Sequence, residues 1–412
     1  MRPAPSYASA GRVLTGAAVG TDLATYLLRA PQPTELDERG RFGRGSIAEA
    51  ERLLVESMTT DVSEFEPPNA YRVRSEPADR WRLASCLQKA IRFGMPDIAM
   101  AAAAGLHTAD RAYALQRLGV ILAEDVMAGS PLLVAQALAM LGQHRWRRDV
   151  GERRLVVWMA KAAAEAPKDR SAVELQVMVE NDRTLDIPSL VRLRDEDLAA
   201  TISDDQRRLV DRIAAARTLV GPRYGSDLIP KHGDRTPAAL FRLMVELGTS
   251  RWGLYVAEKA ASRLGDSMFV SMPVIDAWLR GGRYEVVDGP VIPRPMIGDV
   301  LGAAYDKYTR LGLRAIARFA AEVPEVRGFV HAVSPAKRRY AAGVGVFLGE
   351  GGVLARRVVL DDEAEAVHRW ARGPERMYWL PPEMAVGYLD VVRRNLGTLN
   401  EIRRELVEDS AW

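Results

Sequence analysis

Leu83-Ala84-Ser85-Cys86-Leu87-Gln88-Lys89-Ala90-Ile91-Arg92 opens a stretch that passes through Ile121-Leu122-Ala123-Glu124-Asp125-Val126 and ends near Ala164-Glu165-Ala166-Pro167-Lys168. From Asp79 to Phe93 the apolar residues stand at 81, 83, 84, 87, 90 and 91, the recurrence of one buried helix face. Pro96 sits where a helix can start, and the alanine-rich run after it is a strong helix former that allows close packing. Thr108 or Asp110 can cap the next helix, which runs to about Met127. Ser130-Pro131 restarts a helix, with serine as cap and proline in the first turn. A further helix over Asp149 to Ala166 stops before Pro167. The stretch reads as a helical platform.

Outward from the platform the pattern stays helical. Residues 1 to about 20 are unpatterned and read as a loose arm. Asp22 to Leu28 fits a short helix, Pro31 to Gly45 a loop and Ile47 to Met58 a longer helix; Pro67-Pro68 breaks the pattern. After the platform come short helices near 171–179 and 188–193, then helices over 204–265 interrupted by a glycine- and proline-rich loop at Gly221 to Arg235. Tyr284 to Pro295, with prolines at 290, 293 and 295, reads as an extended connector or short edge strand. Val300 to Ala321 reads as a long helix. Tyr340 to Phe347 fits helix or strand. Val353 to Leu360 is β-rich enough for a hairpin arm, with Gly349-Glu350-Gly351-Gly352 as its turn. Helices over Asp361 to Arg372 and Met384 to Glu408 close the chain.

Composition bounds the function. The 412 residues are 48% hydrophobic, which suits a folded protein of one large helical body or two to three domains. No apolar run is long enough to span a bilayer, and no secretory signal is read at the N-terminus. A single cysteine, Cys86, rules out an internal disulfide framework and fits a reducing cytoplasm. Net charge is only +3, modest for a dedicated non-specific nucleic-acid binder. The lysines are confined to 89, 161, 168, 231, 259, 307 and 337, and every other side-chain cation is arginine or histidine. Arginine favours bidentate phosphate and carboxylate contacts.

No motif for chemistry stands out. There is no Walker-type phosphate loop, since Gly349-Glu350-Gly351-Gly352 lacks the Lys-Ser/Thr that would hold phosphate and magnesium, and no dinucleotide fingerprint follows a strand. The histidines at 107, 144, 232, 331 and 368 are scattered singly, so no metal site and no cofactor are expected. Cys86 falls on an inward face and reads as a core thiol. Glu124 and Asp125, adjacent on a helix, diverge by about 100° and read as a helix-terminal polar network rather than a catalytic pair. The candidate nucleic-acid contacts are Arg145, Trp146, Arg147, Arg148 and Arg153, where cations flank an aromatic, and Lys337, Arg338 and Arg339 at a helix entry. Arg393-Arg394 and Arg403-Arg404, offset by Glu401 and Glu405, read as an exposed charged face.

Residues 83–175 resemble the C-terminal helical domain of the replication-associated recombination protein A family (MgsA; the eukaryotic relatives are the Werner-interacting ATPases). The resemblance rests on Leu87-Gln88-Lys89-Ala90-Ile91-Arg92, Asp97-Ile98-Ala99, Tyr113 with Arg117-Leu118, Ile121 to Val126 with Glu124-Asp125, and Ala166-Pro167-Lys168 followed by Ser171. A weaker echo is Met377-Tyr378-Trp379-Leu380-Pro381-Pro382-Glu383. In that family the domain drives tetramer formation beside a clamp-loader-like ATPase motor. The motor has no counterpart here, so ATP hydrolysis is not implied.

The expected fold is mainly α, a multi-helical bundle with a central clamp-loader-collar-like domain and at most a small β hairpin. The expected parts are an arm with short helices at 1–75, the platform at 76–180, a helical insertion or second domain at 181–375, and a C-terminal helix at 376–412. The expected function is a non-catalytic cytoplasmic accessory protein of DNA replication, recombination or repair. It would assemble with itself and contact DNA, as a fork or single strand, or a replication complex. One alternative is a protein-interaction scaffold of a mobile-element or phage-associated complex. Another is an enzyme with a site in 182–376, where Asp306, Lys307, Tyr308, Thr309 and Arg310 cluster. Leu87, Ile91, Leu118 and Ile121 are expected in the platform core.

Overall fold

The computed structural model describes residues 21–38, 40–67, 79–221, 236–377 and 379–409. The expected arm at 1–20, most of the glycine- and proline-rich loop, Pro68 of the proline break and Tyr378 of the aromatic echo lie outside these residues. The platform expected from the sequence is present as a continuous helical array. Before it come α1 (Thr21–Leu28) and α2 (Arg44–Glu64). The array itself is α3 (Arg80–Arg92), α4 (Pro96–Ala109), α5 (Arg111–Asp125), α6 (Pro131–Gly142), α7 (His144–Val150), α8 (Glu152–Glu165) and α9 (Ser171–Asn181).

Local chemistry sets these boundaries. The Asp79 side chain accepts from the Trp81 amide and starts α3. Gly94, at φ +64°, ends it: Gly94 N–H donates to Ile91 O and Met95 N–H to Ala90 O, a Schellman closure that a side chain at Gly94 would strain. Pro96 then begins α4. Asp110, not Thr108, caps α5, accepting from Tyr113 N–H at 3.0 Å, while Thr108 Oγ1 donates back to Ala104 O. Ser130 makes no side-chain cap, although Pro131 does open α6. Gly151, at φ +87°, separates α7 from α8, so the helix expected from Asp149 begins at Glu152. Alanines 99, 102 and 103 are buried on α4, which packs against both α3 and α8. Leu87, Ile91, Leu118 and Ile121 are fully buried, as expected, and so is Cys86.

The chain continues through α10 (Ile187–Arg192), α11 (Asp195–Ser203), α12 (Leu209–Leu219), α13 (Pro237–Glu246), α14 (Arg251–Lys259) and α15 (Met272–Gly281). Trp252 on α14 is fully buried, and its indole N–H donates to Pro131 O at 2.8 Å. Strands β1 (Glu285–Asp288), β2 (Met296–Ile297) and β3 (Val300–Leu301) come next. After them are α16 (Arg310–Glu322), α17 (Pro324–Ala332), α18 (Arg338–Val346), β4 (Arg356–Val359), α19 (Asp362–Arg372), α20 (Pro382–Arg394) and α21 (Leu396–Asp409). Among the described residues no helix is long and apolar enough to cross a membrane. The architecture is a multi-helical bundle with two small antiparallel sheets, mainly α as the periodicity indicates.

Three local expectations change. The helix expected over Val300–Ala321 starts only at Arg310; Val300 and Leu301 instead form a tight hairpin with β2, turned by Gly298 at φ +62°. Thr309 caps α16 by accepting from Gly312 N–H. The segment Gly349–Gly352 is no hairpin turn, because Phe347–Gly351 continues α18 as a π-helical turn. The strand β4 pairs with β1, from Glu285 opposite Val359 to Asp288 opposite Arg356. Its partner lies far back in the sequence, and the pairing buries Val358 in the core that extends from Ala24 to Tyr305. The last helix divides at Asn395.

Buried side chains gather into two main cores. One runs from Ala24 to Tyr305 and includes Val353, Val358, Leu360, Ala364 and Val367. The other joins α16, α17, α18, α20 and α21.

Candidate functional site

The motif residues of the platform converge on Asp125, at the end of α5. Its carboxylate is fully buried and receives Arg92 Nε at 2.9 Å on Oδ1, Gln88 Nε2 at 2.9 Å on Oδ2, and the Arg170 guanidinium. Gln88 Nε2 also donates to Glu124 at 2.8 Å, and Gln88 Oε1 accepts from Arg117 at 2.6 Å. Glu124 and Asp125 thus share one amide, despite diverging along the helix, because Asp125 is the last helical residue. The expected helix-terminal polar network is what forms. Burial alone would raise Asp125, but the charges of Arg92 and Arg170 outweigh it and hold the group at about 2. Burial and the Asp125 charge push Glu124 the other way, up.

This network reaches across to the second core. Arg92 Nη1 donates to Gly351 O at 2.7 Å. Lys89 pairs with Asp306, and Ser85 Oγ donates to the same carboxylate at 2.9 Å. Arg403 is fully buried, meeting Glu350 at 2.5 Å and Tyr305 O at 3.0 Å. The expectation that Arg403 lies on an exposed face is therefore corrected. Its α21 face is covered by the segment around Tyr305, and Glu350 supplies its counter-charge.

Pro167 and Lys168 place the link between α8 and α9. Pro167 O approaches Gly129 so closely that a Cβ there would stand 2.2 Å away, which restricts that position to glycine. Lys168 Nζ donates to Ala164 O at 3.0 Å and to Ala166 O, satisfying the end of α8, while burial pushes its ammonium down to about 7. Lys168 N–H and the Val358 N–H tie this link to β4. Glu174 on α9 holds His368 Nδ1, with both carboxylate oxygens at 3.1 Å. His368 and His107, the latter 3.3 Å from Glu152, are therefore ion-network members.

The residues proposed from sequence as nucleic-acid contacts divide. Arg147 is 5% exposed and spends every nitrogen inside: Nε on Glu152 at 3.0 Å, Nη1 on the carbonyls of Met140 and Leu141, and Nη2 against His144 at 2.8 Å. Trp146 is half-buried and donates to Thr59 Oγ1 at 3.0 Å. Arg145, Arg148 and Arg153 are exposed around the turn between α7 and α8. No hydrogen bond or ion pair from their guanidiniums is found among the described residues. Glu152 beside them is already committed to Arg111, Arg147 and His107, whose hydrogen bonds, led by that of Arg111, hold it at about 2 against its burial. Lys337 and Arg339 are exposed at the start of α18, on the second core, and Arg338 turns back toward the carbonyls of Val333 and His331.

The cluster Asp306 to Arg310 is a turn. Asp306 faces Lys89, and Thr309 caps α16. The space against Asp306 and Lys307 measures about 10 Å³, room for a single water. Residues that the sequence does not mark are Arg170, Glu174, Glu350, Arg372, Arg376 and Phe347. The Phe347 ring lies 5.3 to 6.0 Å from Arg92, Arg170, Lys307, Arg372 and Arg376.

No family model matches the chain, and no curated protein and no solved structure shows significant similarity to it.

Proposed function

We propose that the protein is a non-catalytic cytoplasmic accessory factor of DNA replication, recombination or repair, which holds phosphate backbone at the α7–α8 corner and assembles through its helical platform. The observation that carries the reading is the contrast at that corner. Arg145, Arg148 and Arg153 stand in solvent without an ion pair among the described residues; of the two acids at the corner, Glu152 is already taken by other cations and Asp149 is exposed. Exposed arginines suit phosphate oxygens through their forked donors; Arg145 and Arg153 stand in the first turns of α7 and α8, and Arg148 in the last turn of α7. Lys337 and Arg339 supply a second group of cations on the other core. Asp125, Asp306 and Glu350 are each closed into pairs with buried cations, which favours a structural role for these acids over acid–base chemistry. Assembly, with itself or with a replication complex, is suggested by the resemblance of residues 83–175 to the recombination protein A helical domain. The half-exposed Trp81 at the start of α3 and the exposed Tyr308 and Tyr340 offer apolar contact area.

Mass measurement in solution, with and without a forked duplex, tests both parts. A mass above one subunit is expected, with a further increase when the fork is added at low salt. A single-subunit mass unchanged by DNA would contradict the proposal. A partner complex recovered equally with and without nuclease, by a protein that retains no DNA, would instead favour a protein-interaction scaffold.

A further inference from the structure

A cleft of about 450 Å³ opens beside the ion network, within the size range of small-molecule sites. Its apolar lining comes from the connector Pro290–Pro293 after β1, with Leu354 and Leu396. Its charged lining is Arg357, His368, Arg372 and Arg393, and among the described residues no Asp or Glu lines it. Three of these four are engaged from behind. Arg357 forks onto Glu365 at 2.5 and 2.8 Å, Nδ1 of His368 is held by Glu174, and Arg393 stands 3.8 Å from Asp390.

Arg372 differs. Its Nη1 is shut off from solvent and has no hydrogen-bond partner. An unpaired buried donor on a charged group costs more than a neutral one. The carboxylates nearby are already divided, Asp125 between Arg92 and Arg170, and Glu174 with His368. Gly352 leaves the room this guanidinium occupies, since a Cβ there would come within 1.9 Å of Nη1. Burial and the neighbouring charges of Arg170, Arg92 and Arg376 press Arg372 down to about 9, with Glu174 only partly opposing them. Guanidiniums stay protonated in proteins, so this marks a positive charge without enough compensation.

We propose that the cleft binds a phosphate-bearing small molecule. Its phosphoryl oxygens take the unpaired Arg372 donor and the half-exposed Arg393, with Nε2 of His368 beside them, and its apolar body lies against Pro290–Pro293. Nη1 lies beside Gly352, so binding requires the Arg372 guanidinium to turn about its last bonds toward the cleft that the same side chain lines. The site is separate from the α7–α8 corner and stands without the DNA reading.

Isothermal titration of the full chain tests it, with phenyl phosphate, inorganic phosphate and phenol as probes. Phenyl phosphate is expected to bind saturably and more tightly than inorganic phosphate, and phenol not at all. Arg393→Gln, at a half-exposed position, should weaken phenyl phosphate by about tenfold, and Arg372→Gln by more. A 5′-phosphorylated trinucleotide compared with its 5′-hydroxyl form assigns the source. Preference for the phosphorylated form over phenyl phosphate points to a nucleic-acid end, and the reverse to a free phosphate ester; either upholds the site. No saturable heat from any phosphate at millimolar concentration, or unchanged affinity in a folded Arg393→Gln, overturns the proposal.

Discussion

Arg147 and Arg148 are neighbours in the chain and opposite in use. Arg147 is drawn into the protein by Glu152 and the last carbonyls of α6, while Arg148 projects into solvent beside Arg145 and Arg153. The same division holds for whole regions. Around Asp125 and Glu350, Arg92, Arg170 and Arg403 are walled in and tie helices to one another and the first core to the second. At the α7–α8 corner the side chains of Arg145, Arg148 and Arg153 make no hydrogen bond or ion pair among the described residues. Composition counts both regions alike, but the second presents its charge to solvent. The first converts charge into positional constraint, since a buried ion that loses its partner is penalised heavily.

The largest effect that can break this comparison is at Asp125. Asp125→Ala leaves two buried guanidiniums without their shared carboxylate, and unfolding in urea should show a loss of about 3–5 kcal/mol. A loss below ~1 kcal/mol would mean the interior network does little. Acid should act on the same group. A carboxyl held low in the fold contributes stability that is complete above its unfolded value, near 4, and fades as pH falls toward about 2. Stability measured between pH 5 and 2 should therefore drop by about 2 kcal/mol through Asp125, and less in Asp125→Asn. Glu152, also held near 2, should add to the loss in the same window, and Glu124, raised in the fold, has the opposite sign. Smaller again is Arg147→Ala, expected to cost about 1–3 kcal/mol by stranding part of Glu152 and two helix-end carbonyls. Arg148→Ala, one residue on, should stay within about 0.5 kcal/mol of the parent. Equal melting shifts for those two variants would erase the contrast.

Helix positions are legible in the sequence because their signals are local. Asp79, Pro96, Asp110 and Pro131 act within one turn, and the apolar spacing of α3 picks out Leu83, Ala84, Leu87, Ala90 and Ile91 as buried, although Trp81 is half-exposed and the polar residues from 85 to 92 are buried as well. Sequence and structure part where the partner is distant. The β-rich segment 353–360 is readable as a strand, but its pairing with 285–288, which accompanies the burial of Val358 in the first core, is not. Val300 and Leu301 share a helical spacing with the residues of α16, yet Gly298 turns them back onto Met296 and Ile297. The network obeys the same rule. Gln88, Lys89, Arg92, Glu124 and Asp125 stand out as a set along the chain, whereas Glu350 with Arg403 and Glu174 with His368 meet only in three dimensions. Arginine type alone cannot separate Arg147 from Arg148, because the distinction depends on the direction of one helical turn.

The most direct measurement is the salt dependence of forked-duplex affinity for the parent protein and for Arg145→Ala/Arg148→Ala/Arg153→Ala, followed by fluorescence anisotropy. Phosphate contacts give a slope of log affinity against log salt of about −0.9 per contact on duplex DNA. The parent should bind with a steep slope, and the triple variant should bind more weakly with a slope shallower by about 2–3. Parent binding that is flat across salt, or a triple variant with the parent's affinity and slope, would contradict the assignment of this corner to phosphate.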